Sequence, residues 1–326
     1  MKKRWISFIL VIVLLPVLAI YSAITGSIEI TAIELIQGLI SGEDNRVDII
    51  KDLRFPRIII ALFAGAMLSV SGVLLQSVMR NPLAEPGIIG ISSGAGFVTI
   101  IVLFFFPALY FYAPLFAFIG GAIAFLLVFS LSWKSGLNPL RMILIGVAVN
   151  AVFVSLSQLF SQGGNSVVSA VSVSTSTLSM KTWNDVEIIV LYGSIGLILA
   201  FVFYSYCNHL GLKDQTLKNL GFNVNRARFV VAAIAVLLAS MATAIAGMFT
   251  FVGLLIPHIG RSLVGTDHKV LIPFSTLLGA ILILLADTLG RTVMAPLEIP
   301  ASIIMAVIGG PFLIILLRKS DRIYGN

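Results

Sequence analysis

Of the 326 residues, 59% are hydrophobic and only 11% are charged, and the mean hydropathy is +1.08. Soluble domains carry about a quarter charged residues, so this balance excludes a soluble globular protein and belongs in a bilayer. Twelve prolines and 28 glycines agree, because both residues are common in membrane helices.

The start, MKKRWISFILVIVLLPVLAIYSAIT, resembles a signal peptide in charge and apolar content. Its apolar stretch is long enough to span, and no A-x-A-like cleavage site follows, so it reads as a retained first helix. Runs of spanning length fall near 5–25, 56–79, 88–109, 114–133, 140–160, 186–207, 228–247, 270–290 and 299–317. A shorter run at 251–265, FVGLLIPHIGRSLVG, is interrupted by Pro257 and Arg261; counted as a tenth span, it puts both termini on one side.

Charge orients this arrangement. Of the 21 cations, 15 lie on the terminal side: Lys2, Lys3, Arg4, Arg80, Lys134, Arg141, Lys213, Lys218, Arg226, Arg228, Arg261, Lys269, Arg318, Lys319 and Arg322. Ten of the 14 acids lie on the other. By the positive-inside rule the termini are cytoplasmic. The net charge of +7 is therefore a topology signal and not a nucleic-acid footprint. Outside the spans, two loops at about 26–55 and 161–185 face outward. Residues 29–50 predict a short amphipathic helix followed by an acidic turn, and the Ser/Thr-rich 161–182 predicts either a loop or a short helix at the outer mouth.

Several chemistries are missing. No G-x-x-x-x-G-K-[ST] loop occurs, so the chain does not hydrolyse nucleotide itself. His209, His258 and His268 lack metal-ligand spacing. No catalytic constellation and no run of intramembrane acids of the proton-relay type stands out. Asp287 and Glu298, near an outer edge, call for water or arginine to satisfy them. Cys207 is the one cysteine and lies in an apolar run, where packing explains it. A large, nearly uncharged helical body without an energy source needs a partner that supplies energy.

The second span, PRIIIALFAGAMLSVSGVLLQSV, carries small residues at 61, 65, 69 and 72, a ridge for close helix packing. Gln76 follows one turn on and hints at a polar lining. In MRNPLAEPGIIGISSGAGF, Asn81-Pro82 and Pro86-Gly87 stop a helix and Ser92, Ser93, Gly94 and Gly96 begin another. Broken backbone at membrane depth needs protein or a water-filled cavity to satisfy it, so this hairpin is a structural elbow or part of a translocation path.

With RFPR…GAMLSVSG…LLQ…RNPLAEPGIIGISSGAG, and later LGFNVNRAR, FVGLLIPHIGRSLVGTDHKVLIPFS, LLADTLGR and PLEIPASIIMAVIGGPFLIILL, the chain resembles the FecCD-type permeases from about residue 50 to its end. These are membrane subunits of binding-protein-dependent ABC importers for ferric siderophores, haem and vitamin B12. The resemblance implies one all-α, BtuC-like (type II ABC importer) permease domain over residues 1–326, with about ten transmembrane helices, in a bacterial plasma membrane. It implies separate ATPase subunits, an extracytoplasmic substrate-binding lipoprotein, a homodimer or a heterodimer with a paralogue, and an iron complex as cargo. It implies no cofactor, no metal site and no catalytic residue. Where many relatives carry a Gly-containing turn after E-x-P, this chain reads EIPASIIM, as haem-importing members do. A corrinoid importer is the alternative, and a stand-alone secondary transporter the more distant one, since neither inverted repeats nor embedded ionisable groups are evident.

The resemblance also implies residue roles. Arg54, Arg57 and Arg291, at the outer ends of spans, match arginines that pair with glutamates on the binding protein, a task suited to the planar guanidinium fork. The polar loop at about 209–228 matches the segment that couples to the ATPase, with Leu220, Gly221, Asn223, Arg226 and Arg228 in it and Gly221 making the turn. Wide amphipathic cargo calls for a path lined by small, weakly polar side chains. Ser69, Gly72 and Gln76 on the second span, and Asn150 and Gln158 on the fifth, are the candidates, with helix packing as the competing role.

Overall fold

A computed structural model describes residues 2–26, 30–41, 44–133, 139–162, 178–295 and 297–324. The first span is α1, Lys2–Ile24, uninterrupted by Pro16. The expected amphipathic helix is α2, Ala32–Ser41, started by Thr31, whose N–H and hydroxyl both donate to Glu34. After it, Asp44 caps α3, Asn45–Met79, by accepting from the Arg46 N–H at 2.9 Å. The sequence predicts this span from Pro56, but the helix begins 11 residues earlier and runs through the proline. Most of the expected 26–55 loop is therefore helical, and of the acidic turn the described Asp44 caps α3.

The chain then turns through Arg80 into α4, Pro86–Ile89, and α5, Ile91–Phe105, separated by Gly90 in the left-handed region. A 3-10 turn over Pro107–Tyr112 leads to α6, Ala113–Trp133, followed by α7, Pro139–Gln162, and α8, Trp183–Val202. The Ser/Thr-rich segment expected at the outer mouth lies largely outside the described residues. Phe203 separates α8 from α9, Tyr204–Leu210, and α10, Asp214–Asn219, follows. The remaining helices are α11, Val224–Ala246, α12, Val252–Val264, α13, His268–Thr292, and α14, Ala301–Tyr324.

Seven helices are long and apolar enough to cross a membrane, and α5, α12 and α14 are shorter apolar ones. Together they make the ten expected crossings among the described residues, the short 251–265 segment included as α12. Both termini fall at one end of the bundle, the terminal end; the other is called here the arginine end.

Enclosure decides which helices form the centre. The spanning window of α3 is 83% buried and that of α11 78%, whereas that of α7 is 11% buried. Small residues let α3 pack closely on its neighbours. A methyl group on Gly65 would overlap the Gly279 carbonyl of α13, and one on Gly72 would overlap the Gly253 carbonyl of α12. Where side chains are absent the backbones themselves make the contact, the usual solution to helix packing in lipid.

Candidate functional site

At the arginine end, α3 and α13 meet. On α3, Arg54 and Arg57 lie three residues apart, so they share a helix face; on α13, Asp287 and Arg291 lie four apart. Arg57 Nε donates to both oxygens of Asp287 at 3.0 and 2.9 Å, and Nη2 donates again to Oδ1 at 2.9 Å. Its remaining nitrogen, Nη1, reaches Glu298 Oε2 at 2.9 Å. Arg291 Nε stands 3.4 Å from Asp287 Oδ2, while its other nitrogens donate to the Ser22 and Thr25 carbonyls and to Ser22 Oγ at 2.6 Å. Arg54 Nη1 donates to the Ala23 carbonyl at 2.6 Å, and its guanidinium lies over Gly26.

The three arginines thus converge, and with Leu53, Ser179 and Glu298 they line one cavity of about 700 Å³ open at this end. The expectation that arginine satisfies Asp287 and Glu298 holds for both. The sequence reading did not show that Arg57 already holds acids of its own chain. Asp287, 1% exposed, already takes most of its fork. Glu298 is different, with its side chain 44% exposed.

At the terminal end, α9 and α10 lead to a tight turn. The Gly221 N–H bonds the Lys218 carbonyl at 3.0 Å and the Phe222 N–H bonds the Leu217 carbonyl at 2.9 Å, with Gly221 at φ +73°. This is a Schellman termination of α10, which requires the left-handed residue at that position. Buried Leu217 and half-buried Phe222 flank the turn on the inside. Leu220, on its outside, is 71% exposed. Asn223 then caps α11 by accepting from the Arg226 N–H at 3.0 Å. Asp214 binds both Arg228 at 3.0 Å and Arg80 at 2.6 Å, tying the segment to the end of α3. Arg226 is exposed.

Nothing lies within 4 Å of a Cβ added to Gly221, so the cost of a side chain there is backbone strain alone. Gly221→Val should therefore destabilise the turn by about 1–2 kcal/mol, and Gly221→Asn by distinctly less, because asparagine tolerates the left-handed region. Thermal unfolding of the purified variants checks this; equal melting temperatures for Val and Asn would show that the turn does not constrain the fold.

Beside the turn, His268 bonds Ser77 Oγ through Nε2 at 2.8 Å and Asn208 Oδ1 through Nδ1 at 2.7 Å. The Asn208 amide and the Lys269 N–H hold the Asp267 carboxyl below the usual carboxylate range. The histidine is thus a satisfied hydrogen-bonding group linking α3, α9 and α13. Among the described residues no three of His, Cys, Asp and Glu cluster as metal ligands.

Between the two ends, two breaks in the backbone meet. The loop before α4 carries Glu85, whose Oε1 accepts the Phe251 N–H at 2.6 Å. Phe251 opens α12 with φ +69°, an uncommon conformation for a bulky residue. Its side chain packs against Gly309 of α14. Composition alone gave Glu85 no role; its position between Pro82 and Pro86, inside a helix-stopping stretch, is the signal that could have marked it.

The translocation candidates separate in a way the sequence could not show. Ser69 is fully buried and donates to the Ser275 carbonyl at 2.8 Å, Gly72 abuts Gly253, and Gln76 Nε2 donates to the Gly253 carbonyl at 3.1 Å. These three hold α3 against α13 and α12. Asn150 is half-buried and Gln158 exposed, both on the least enclosed helix, α7.

Ten helix crossings, a close-packed apolar body and polar clusters at both ends, with broken backbone between them, define a polytopic membrane transport protein. The FecCD transport family model matches residues 13–319, and the chain belongs to that family. It is 43% identical over 321 residues, 98% of each chain, to proteins of Staphylococcus aureus strains MSSA476 and Newman named "Probable heme-iron transport system permease protein IsdF". Its fold matches an inward-facing structure of a transporter assigned to the metal-chelate ABC type, with a TM-score of 0.79, 30% identity, and 97% and 99% of the two chains covered. PsaBC from Streptococcus pneumoniae shares the fold at a TM-score of 0.62 and 16% identity over 87% of this chain and 95% of that one.

Proposed function

We propose that this chain is the permease subunit of a binding-protein-dependent ABC importer, carrying an iron complex, haem first among the candidates, into a bacterial cytoplasm. Family membership over nearly the whole chain supports the importer class. The name of the staphylococcal relatives and the EIPASIIM stretch support haem. ATP is hydrolysed on separate subunits that dock at the terminal end, which faces the cytoplasm. The observation that carries this orientation is the exposed Schellman turn, with Leu220 outward and Lys218 and Arg226 beside it, on the side where 15 of the 21 cations gather. Leu220, Gly221 and Asn223 form the knob and its support, and Arg228 anchors it through Asp214.

The arginine end receives the lipoprotein. A partner's glutamate displaces the exposed Glu298 and takes its place on Arg57, with Arg54 and Arg291 lining the same cavity, so docking exchanges one charge-assisted pair for another. Two such permeases, identical or paralogous, join along faces that include α7. Polar Ser155 and Gln158 on that exposed helix suit a subunit interface or a water-lined path better than lipid.

Reconstitution tests the whole. Proteoliposomes holding this chain with the cognate ATPase and binding protein should accumulate haem only with internal ATP. Arg54→Glu should weaken docking of the binding protein, and parent docking should fall as salt rises. Haem uptake without ATP, or docking unchanged in folded Arg54→Glu protein, would overturn the corresponding part of the reading.

A further inference from the structure

A second cavity lies at the terminal end, on the outside of the bundle between α6 and α11, with a volume of about 460 Å³. Its walls are Phe118, Phe125 and Phe129 from α6 and Ala232 and Val236 from α11. Its polar lining is Asn225 and Arg228, both at the terminal end. From Asn225 to Val236 the helix rises roughly 16 Å, at about 1.5 Å per residue. That matches one leaflet of a hydrocarbon core of about 30 Å. The groove is therefore one acyl chain deep, with its cation at headgroup level.

Among the described residues the charge at its mouth is not balanced. Asp214 is shared by Arg228 and Arg80, so two guanidinium groups face one carboxylate. Arg228 Nε is buried and has no hydrogen-bond partner, although the residue lines the groove. A buried N–H left unmade is costly, and a charged acceptor is what relieves it best. From this geometry we infer that the α6–α11 groove binds an anionic phospholipid of the adjoining leaflet, with its acyl chain along Phe118, Phe125 and Phe129 and its phosphodiester on Arg228.

Any phospholipid offers an acyl chain and a phosphate. A zwitterionic one brings its own cation and leaves the arginine pair uncompensated, so the site selects net negative charge. The inference goes beyond transport and does not depend on which cargo is carried. It places a lipid contact on the arginine that anchors the proposed coupling segment.

The test is lipid retention by the intact chain. Protein is reconstituted in nanodiscs of equal palmitoyl-oleoyl phosphatidylglycerol and phosphatidylcholine, extracted into mild detergent, and its bound lipids are counted by native mass spectrometry. Phosphatidylglycerol should be retained over phosphatidylcholine by about five-fold, the factor one guanidinium near an anionic headgroup confers. Arg228→Gln should keep a bound lipid but lose that preference. Ala122→Phe, from α6, should fill the groove and lose the lipid; Ala233→Phe, from α11, does the same from the facing wall and carries the test if the first variant does not fold. Retention in proportion to the bulk mixture, or unchanged retention in the folded groove-filled variant, would overturn the site. Folded parent protein that retains no lipid would assign the groove to a protein partner instead and overturn it equally.

Discussion

Asp287→Ala should cost the folded protein about 3–5 kcal/mol, the usual result of removing one partner from a buried ion pair. Asp287 is 1% exposed and receives three hydrogen bonds from Arg57, with Arg291 Nε 3.4 Å away. Without it, two guanidinium groups face each other at the junction of α3 and α13, and only the exposed Glu298 remains to Arg57. For a chain of this size the loss corresponds to a melting temperature lower by roughly 4–7 °C. Thermal unfolding in detergent measures it, and a melting point equal to the parent's would show that water replaces the carboxylate. A paired replacement, Asp287→Leu with Arg57→Leu, should recover part of the loss, because an apolar pair of similar volume avoids the desolvation cost. The same geometry decides which arginine best probes docking. Reversing Arg57 confounds docking with stability, since the residue holds the fold together, whereas Arg54 donates to a backbone carbonyl, that of Ala23.

Much of this architecture is legible in the sequence, and for identifiable reasons. Hydrophobic run length finds the crossings because a bilayer sets their length. The turn at Gly221 is visible because a left-handed helix terminus demands a particular residue. Pro56 misleads for a related reason. Proline is favoured at a helix start, so the run from 56 reads as a beginning, while the preceding polar turn of α3 continues the helix unseen. Asp287 and Arg57 are 230 positions apart, and no local rule pairs them. Their meeting depends on Gly65 and Gly279 bringing α3 and α13 together, a fact of packing. The same cause hides the partners of Ser69 and Gln76, whose side chains donate to the carbonyls of Ser275 and Gly253.

Between pH 5.5 and 8.5 the protein should lose stability, and Glu85 should be the reason. This residue sits in the loop between α3 and α4, outside the spanning helices, and is 1% exposed. Burial pushes its carboxyl up from 4.5 to about 7, opposed only by the Phe251 N–H, and Oε2 has no hydrogen-bond partner. The sign follows from proton counting. Between about 4.5 and 7 the folded protein keeps a proton that the unfolded chain has released, so stability is greatest below that window and falls as pH rises through it. The full difference is on the order of 3 kcal/mol. Glu85→Gln keeps an oxygen for the Phe251 N–H without the charge, so its melting temperature should change less across this range and exceed the parent's at pH 8.5. Glu85→Ala should melt lower than the Gln variant at both pH values by about 1–3 kcal/mol, because the Phe251 N–H is left buried and unpaired. Parallel pH profiles for the parent and Glu85→Gln would sink the assignment. The comparison bears on transport as well as on folding. Glu85 joins the break before α4 to the break before α12, and Phe251 carries that contact on to Gly309 of α14. One carboxyl thereby joins the entries to two helices and, through Phe251, a third.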